Sequence, residues 1–132
     1  MKNKSLTIGI LAKAADVNIE TIRYYQRIGL ITEPQKPFQG YRVYPAETLQ
    51  RIKFIKRAQQ LGFSLQEIEE LLQLGEGQCN DVRLRAEQKR SQIDKQIKDL
   101  QSLRHTLGQL IDACHDNNGT NHCAIVEALS AP

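Results

Sequence analysis

No stretch of this 132-residue chain approaches the roughly 20 apolar residues that a membrane-spanning helix needs. Its opening, Met1-Lys2-Asn3-Lys4-Ser5, has none of the apolar run of an export signal, so a cytoplasmic location is expected. Cysteine is scarce: the three present cannot all pair within one chain, and a reducing compartment keeps thiols free, which argues against a structural disulfide framework. There is no glycine loop of the kind that cradles phosphate, and no cysteine is accompanied by a base that a third group orients. The chain is therefore not read as an enzyme. The length suits one ordinary domain or a small domain with a long appendage, with a correspondingly small core.

Proline is absent from residues 81–112, and glycine is absent there until Gly108. What fills the stretch is Lys, Arg, Glu, Gln and Leu, all good helix formers, and one long helix is expected. Val82, Ala86, Ile93, Leu100, Leu103, Leu107 and Leu110 fall on a seam stepping by four and three, interrupted by Lys89 and Gln96. That is a heptad pattern in need of a partner helix, so the chain is expected to form a homodimer. At about 1.5 Å per residue such a helix spans roughly 48 Å, too far for Cys79 at its start to meet Cys114 at its end within one subunit. Antiparallel pairing of two copies would set Cys79 of one beside Cys114 and Cys123 of the other and build two three-cysteine clusters. Free cysteine is often plain core. Here, however, Cys79 sits in Gly-Glu-Gly-Gln-Cys-Asn-Asp and Cys123 follows a run from Asn117 to His122, which reads as loop.

The charge is uneven. Residues 1–74 hold 11 Lys and Arg against 7 Asp and Glu, and residues 75–132 hold 7 against 8. A positive first half suits a polyanion-binding module. Within it, Thr7 stands as a cap before Ile8, Leu11 and Ala14 or Ala15, Asp16-Val17-Asn18 reads as a turn, and Asn18 caps a second helix from Ile19 to Ile28 that ends at Gly29. Two short helices so closely joined make a helix-turn-helix. Ile19, Ile22, Tyr25 and Leu30 face inward, leaving Thr21, Arg23, Tyr24 and Arg27 as candidates for phosphate and base-edge contacts in a major groove. Residues 32–44 carry Pro34, Pro37 and Gly40, and Tyr41-Arg42-Val43-Tyr44 alternates as a short strand would. A two-stranded wing bearing Lys36, Tyr41 and Arg42 is expected beside the recognition helix. Ala46 to Leu61 reads as a basic helix with Arg51, Lys53, Lys56 and Arg57. After Gly62-Phe63, Ser64 and Glu67 form the capping box of a helix from Leu65 to Leu72.

These residues resemble the MerR family of transcription regulators nearly end to end. The resemblance rests on Thr21-Ile22-Arg23-Tyr24-Tyr25, Gly29-Leu30, Tyr41-Arg42-Val43-Tyr44, Ile52-Lys53-Phe54-Ile55 and Leu61-Gly62-Phe63-Ser64-Leu65-Gln66-Glu67-Ile68. Cys79, Ala113-Cys114-His115 and Cys123 resemble the mercury-responsive branch of that family. The resemblance implies a mainly α fold, a winged helix-turn-helix domain over residues 1–74, a linker over 75–80, a dimerisation helix over 81–112 in an antiparallel coiled coil, and a metal-binding loop with a short helix over 113–132. It also implies an operator lying within a promoter, with RNA polymerase as the partner there. The metal-free dimer would repress, and metal binding would distort the DNA so that transcription starts, a readout of DNA deformability.

Three thiolates with no carboxylate in the immediate motif select a soft ion. Mercury(II) accepts three sulfurs in a plane, so Hg(II) on Cys79, Cys114 and Cys123 is expected, one ion per cluster and two per dimer. Zinc usually takes four ligands, and His115 or His122 could complete such a site for zinc, cadmium or lead. A redox signal through a Cys114–Cys123 disulfide is a further alternative.

Overall fold

The computed structural model describes residues 5–75, 77–116 and 123–132. In chain order its helices are α1 (Ile8–Ala15), α2 (Ile19–Arg27), α3 (Ala46–Gln60), α4 (Leu65–Leu74), α5 (Cys79–Asp116) and α6 (Ala124–Ser130). The chain divides into two compact units, Met1–Val82 and Arg83–Pro132.

In the first unit the helices start and stop where local chemistry dictates. The Asn18 side chain accepts from the Thr21 N–H at 2.7 Å and caps α2. Ser64 and Glu67 close a reciprocal capping box at the start of α4, at 3.1 and 2.8 Å. Thr7 occupies the N-cap position of α1 without a side-chain bond, so its expected cap is one of backbone position alone. α1 ends on Asp16, held at φ 57° in the left-handed region. The Lys56 ammonium then donates to the Ala15 and Asp16 carbonyls at 3.2 and 2.9 Å, satisfying acceptors that the end of α1 leaves open.

α1 packs on α2 and α3, and α3 on α4. Leu11, Ile22, Ile52, Ile55 and Ile68 are fully buried at the junction, with Tyr25, Leu30, Ile31, Tyr44 and Ala58 around them. Burying side chains of this size stabilises by about 1.5–3 kcal/mol each, which lets a small domain hold α2 rigidly. The Tyr25 hydroxyl reaches Gln59 at 2.9 Å, so a buried phenol is satisfied and α2 is tied to α3.

The expected two-stranded wing is replaced by a loop. Among the described residues the only β pairing is an isolated antiparallel bridge between Leu6 and Tyr44, with the Tyr44 N–H donating to the Leu6 carbonyl at 2.8 Å. Pro34 and Pro37 lack ladder donors, and Gly40 sits at φ 90°, so residues 34–40 cannot run as a paired strand.

The first turn of α5 belongs to the first unit, and from Arg83 onward α5 is the main element of the second. The helix begins at Cys79 and continues through Asp116, beyond the expected 81–112 at both ends, so Cys79 and Cys114 lie on the helix rather than in flanking loops. Gly108 does not interrupt it. Leu84, Ile93, Ile97, Leu100, Leu103, Leu107 and Ile111 are all exposed along α5. No described helix is long and apolar enough to cross a membrane.

Candidate functional site

α2 presents its polar face to solvent because its apolar residues, Ile22 and Tyr25, are locked into the core. Arg23 is more than half exposed and bonds Glu20 one turn back at 2.8 Å. An exposed pair of this kind contributes little to stability, so the guanidinium can exchange Glu20 for a phosphate or a base edge at small cost. Arg27 lies over the Tyr24 ring at 5.6 Å from its centroid, which makes one surface of the two side chains. The Thr21 hydroxyl donates to Asn18 at 2.7 Å. Its single proton is thus used in the cap, and Thr21 can meet a phosphate as a donor only by giving up that bond.

The wing loop carries Lys36, Tyr41 and Arg42, all exposed. Arg42 donates through Nε to the Pro34 carbonyl at 3.0 Å, which braces the loop across its base. At the tip stands Phe38, fully exposed. Sequence reasoning missed this side chain, because nothing in Pro-Phe-Gln-Gly distinguishes a projecting aromatic from a packed one. The basic helix α3 is divided in role: Lys56 is used on α1, Arg51 donates to the Leu30 carbonyl at 3.4 Å, and Lys53 and Arg57 remain exposed.

The thiols are differently placed. Cys79 is exposed in the first turn of α5, while Cys114 in its last turn and Cys123 just before α6 are half-buried. Cys114 and Cys123 are neighbours: the Cys114 thiol donates to the Cys123 sulfur, which pushes Cys114 above its ordinary value. Cys123 is drawn down, first by the N–H groups of Val126 and Ile125 and then by the Cys114 thiol. No full side-chain cap bond forms at Cys123, yet the open amides at the start of α6 lie near enough to favour a thiolate. Among the described residues no group of three or more ligating side chains is assembled. His115 is exposed, and His122, the other histidine considered as a ligand, lies outside the described residues.

Residues 6–74 match the family described as "MerR HTH family regulatory protein", and residues 49–110 match "MerR, DNA binding". The chain belongs to the MerR family. It is 45% identical over 127 residues to the mercuric resistance operon regulatory protein of Shigella flexneri, a match covering 96% of this chain and 88% of that one. Among solved structures it is similar to the transcription regulator PbrR691 from Ralstonia metallidurans CH34 in complex with lead(II), with a TM-score of 0.82, 31% identity and coverage of 95% and 99%. It is also similar to the dual function regulator MerR from Bacillus megaterium MB1 in complex with mercury(II), with a TM-score of 0.72, 39% identity and coverage of 92% and 96%.

As a MerR-family chain the protein is a DNA-binding transcription regulator and not an enzyme. The exposed face of α2 carries Arg23 and Arg27, and the adjoining wing carries Lys36 and Arg42. Two neighbouring thiols, one of them inclined to ionise even though the Glu127 carboxylate opposes this, make a donor pair that suits a soft metal.

Proposed function

We propose that the protein is a mercury(II)-responsive transcription regulator of a mercury-resistance operon, repressing its promoter without metal and activating it when the ion binds three cysteines across a homodimer. The observation that carries the reading is the pairing of Cys114 with Cys123 at the end of α5, with Cys79 in its first turn. A helix of 38 residues is roughly 57 Å long at about 1.5 Å per residue. Thiols at its two ends come together only when a second copy runs alongside in the opposite sense. The exposed row Ile93, Ile97, Leu100, Leu103, Leu107 and Ile111 gives that second copy its contact surface. Bound mercury(II) supplies a soft acceptor for three sulfurs, one ion per site and two per dimer. Cys123 would offer the first sulfur, since the amides at the start of α6 make its proton easier to lose than that of Cys114. Cys114, which donates to it, would release its proton as the site fills.

Thr21, Arg23, Tyr24 and Arg27 on α2, with Lys36, Tyr41 and Arg42 on the wing, are the proposed DNA contacts at an operator lying where RNA polymerase binds. Two such surfaces in one dimer can act by changing DNA shape rather than by leaving it: metal favours one arrangement of the two halves and shifts the population toward it.

A second reading, a lead-, cadmium- or zinc-responsive regulator with a histidine as extra ligand, is favoured by the similarity to the lead(II) complex of PbrR691. X-ray absorption of the metal-loaded protein separates the two. The mercury reading predicts three sulfurs and no nitrogen, and it predicts that Cys79→Ser, Cys114→Ser and Cys123→Ser each abolish mercury-dependent transcription. A four-ligand site containing nitrogen, or a serine variant that still responds, would reject it. Induction by peroxide without metal, with Cys79 dispensable, would point to a Cys114–Cys123 disulfide instead.

A further inference from the structure

Gln26 lies in the last turn of α2, half-buried, and its amide faces both ends of the wing loop. At the start of the loop its Nε2 donates to Glu33 Oε2 at 3.3 Å, and at the far end its Oε1 accepts from the Tyr44 hydroxyl. Tyr44 is itself fixed: its ring is 4% exposed, and its backbone N–H is bonded to Leu6. The residues between carry Lys36, Phe38, Tyr41 and Arg42, and no β ladder holds them. An amide is the chemistry this position needs. A carboxylate has no donor for Glu33, a lysine has no acceptor for Tyr44, and an aliphatic side chain has neither.

We infer that Gln26 is a positioning residue that latches the wing loop to the recognition helix, so that the wing side chains and the α2 side chains meet one DNA duplex in a fixed register. The inference rests on the proposed wing contacts. It deepens them by naming the group that makes an unladdered loop rigid enough to contribute to binding. Preorganisation of this kind raises affinity because less freedom is lost on docking.

The test exchanges the two members of the Gln26–Glu33 bond. The probe is a fluorescein-labelled duplex chosen from a random-sequence pool by the unaltered protein, read by anisotropy at one fixed salt concentration and by hydroxyl-radical footprinting. Gln26→Glu sets two carboxylates against each other, and binding should weaken about tenfold, with loss of protection where the wing lies. Adding Glu33→Gln to it returns a donor to face the new carboxylate, leaves Tyr44 its acceptor and restores the net charge. The double variant should bind within about twofold of the unaltered protein and recover the wing footprint. Simple charge effects add, so the double variant must exceed the sum of Gln26→Glu and Glu33→Gln taken singly. A double variant that only matches that sum, or a Gln26→Glu that binds normally, overturns the latch. Lys36→Ala and Tyr41→Ala in the unaltered protein separate the two levels, since neither removes the Arg42–Pro34 brace. If both bind normally, the wing-contact reading fails and the latch with it; if they bind weakly but the exchange does not rescue, the latch alone fails.

Discussion

Cys114 and Cys123 are the same residue type with opposite acid behaviour: one holds its proton more firmly than an ordinary cysteine and the other is inclined to lose it. The difference comes from partners. Cys123 faces open amides at the start of α6, while Cys114 has a neighbouring sulfur as acceptor. The sign is definite. A lowered value makes Cys123 thiolate at a pH where Cys114 is still thiol, and a raised value delays Cys114 until the solution is more alkaline than an ordinary cysteine requires. Iodoacetamide should therefore modify Cys123 ahead of Cys114 at pH 7, with the Cys114 rate catching up only in more alkaline solution, as peptide mass spectrometry of timed samples would show. Equal rates at neutral pH would mean that the α6 amides have no effect on the sulfur. The thiol type and the nine-residue spacing of this pair were legible in the sequence. Their inequality was not, since it depends on where α6 starts, and Ala124-Ile125-Val126 carries no strong start signal. In the same way, the commitment of the Thr21 hydroxyl to Asn18 follows from the cap geometry and not from residue type.

At the scale of elements, the helices with explicit start signals were readable and the wing was not. Asn18 and Ser64 advertise their helices because a short polar side chain can satisfy an open N–H three residues on. Removing one such signal has a definite cost. Ser64→Ala should lower the unfolding free energy by about 1 kcal/mol, measured by urea denaturation, with the slope of the transition unchanged. A loss near zero would mean that Glu67 alone holds the start of α4. Alternation over Tyr41–Tyr44 suggested a strand, but strands need partners. With prolines at 34 and 37 the facing segment can offer none, so among the described residues only the Leu6–Tyr44 bridge forms. The heptad seam on α5 was visible, and Ile97 and Ile111, which a strict step from Val82 passes over, are exposed along the same helix as Leu100 and Leu107. The ends of α5 were also set too short, because Asn80, Asp81, Asp112 and Ala113 give no stop and the polar stretches beyond were read as loop.

At the scale of the whole molecule, the proposed metal site requires two copies. A row of leucines and isoleucines each between a third and two thirds exposed is costly in water at roughly 25 cal/mol per Å² of apolar surface, and pairing two such rows removes that cost. Leu100→Lys with Leu107→Lys should convert a dimer into a monomer in analytical ultracentrifugation, while the first unit, whose core contains neither residue, keeps its fold. A variant that remains dimeric would place the interface elsewhere.

The central claim, that each metal site draws its sulfurs from two subunits, has a direct test in mixed dimers. One subunit carries Cys79→Ser, and the other carries Cys114→Ser with Cys123→Ser. Neither homodimer has a complete three-sulfur site, whereas the heterodimer has one complete site and one empty of ligands. Mercury(II) added at one ion per purified dimer and followed by sulfur-to-metal absorption in the ultraviolet should give the low-energy band of a three-sulfur site in the heterodimer, while the Cys79→Ser homodimer holds its ion on two sulfurs and lacks that band. A heterodimer that lacks the band, or a homodimer that shows it, would contradict the account.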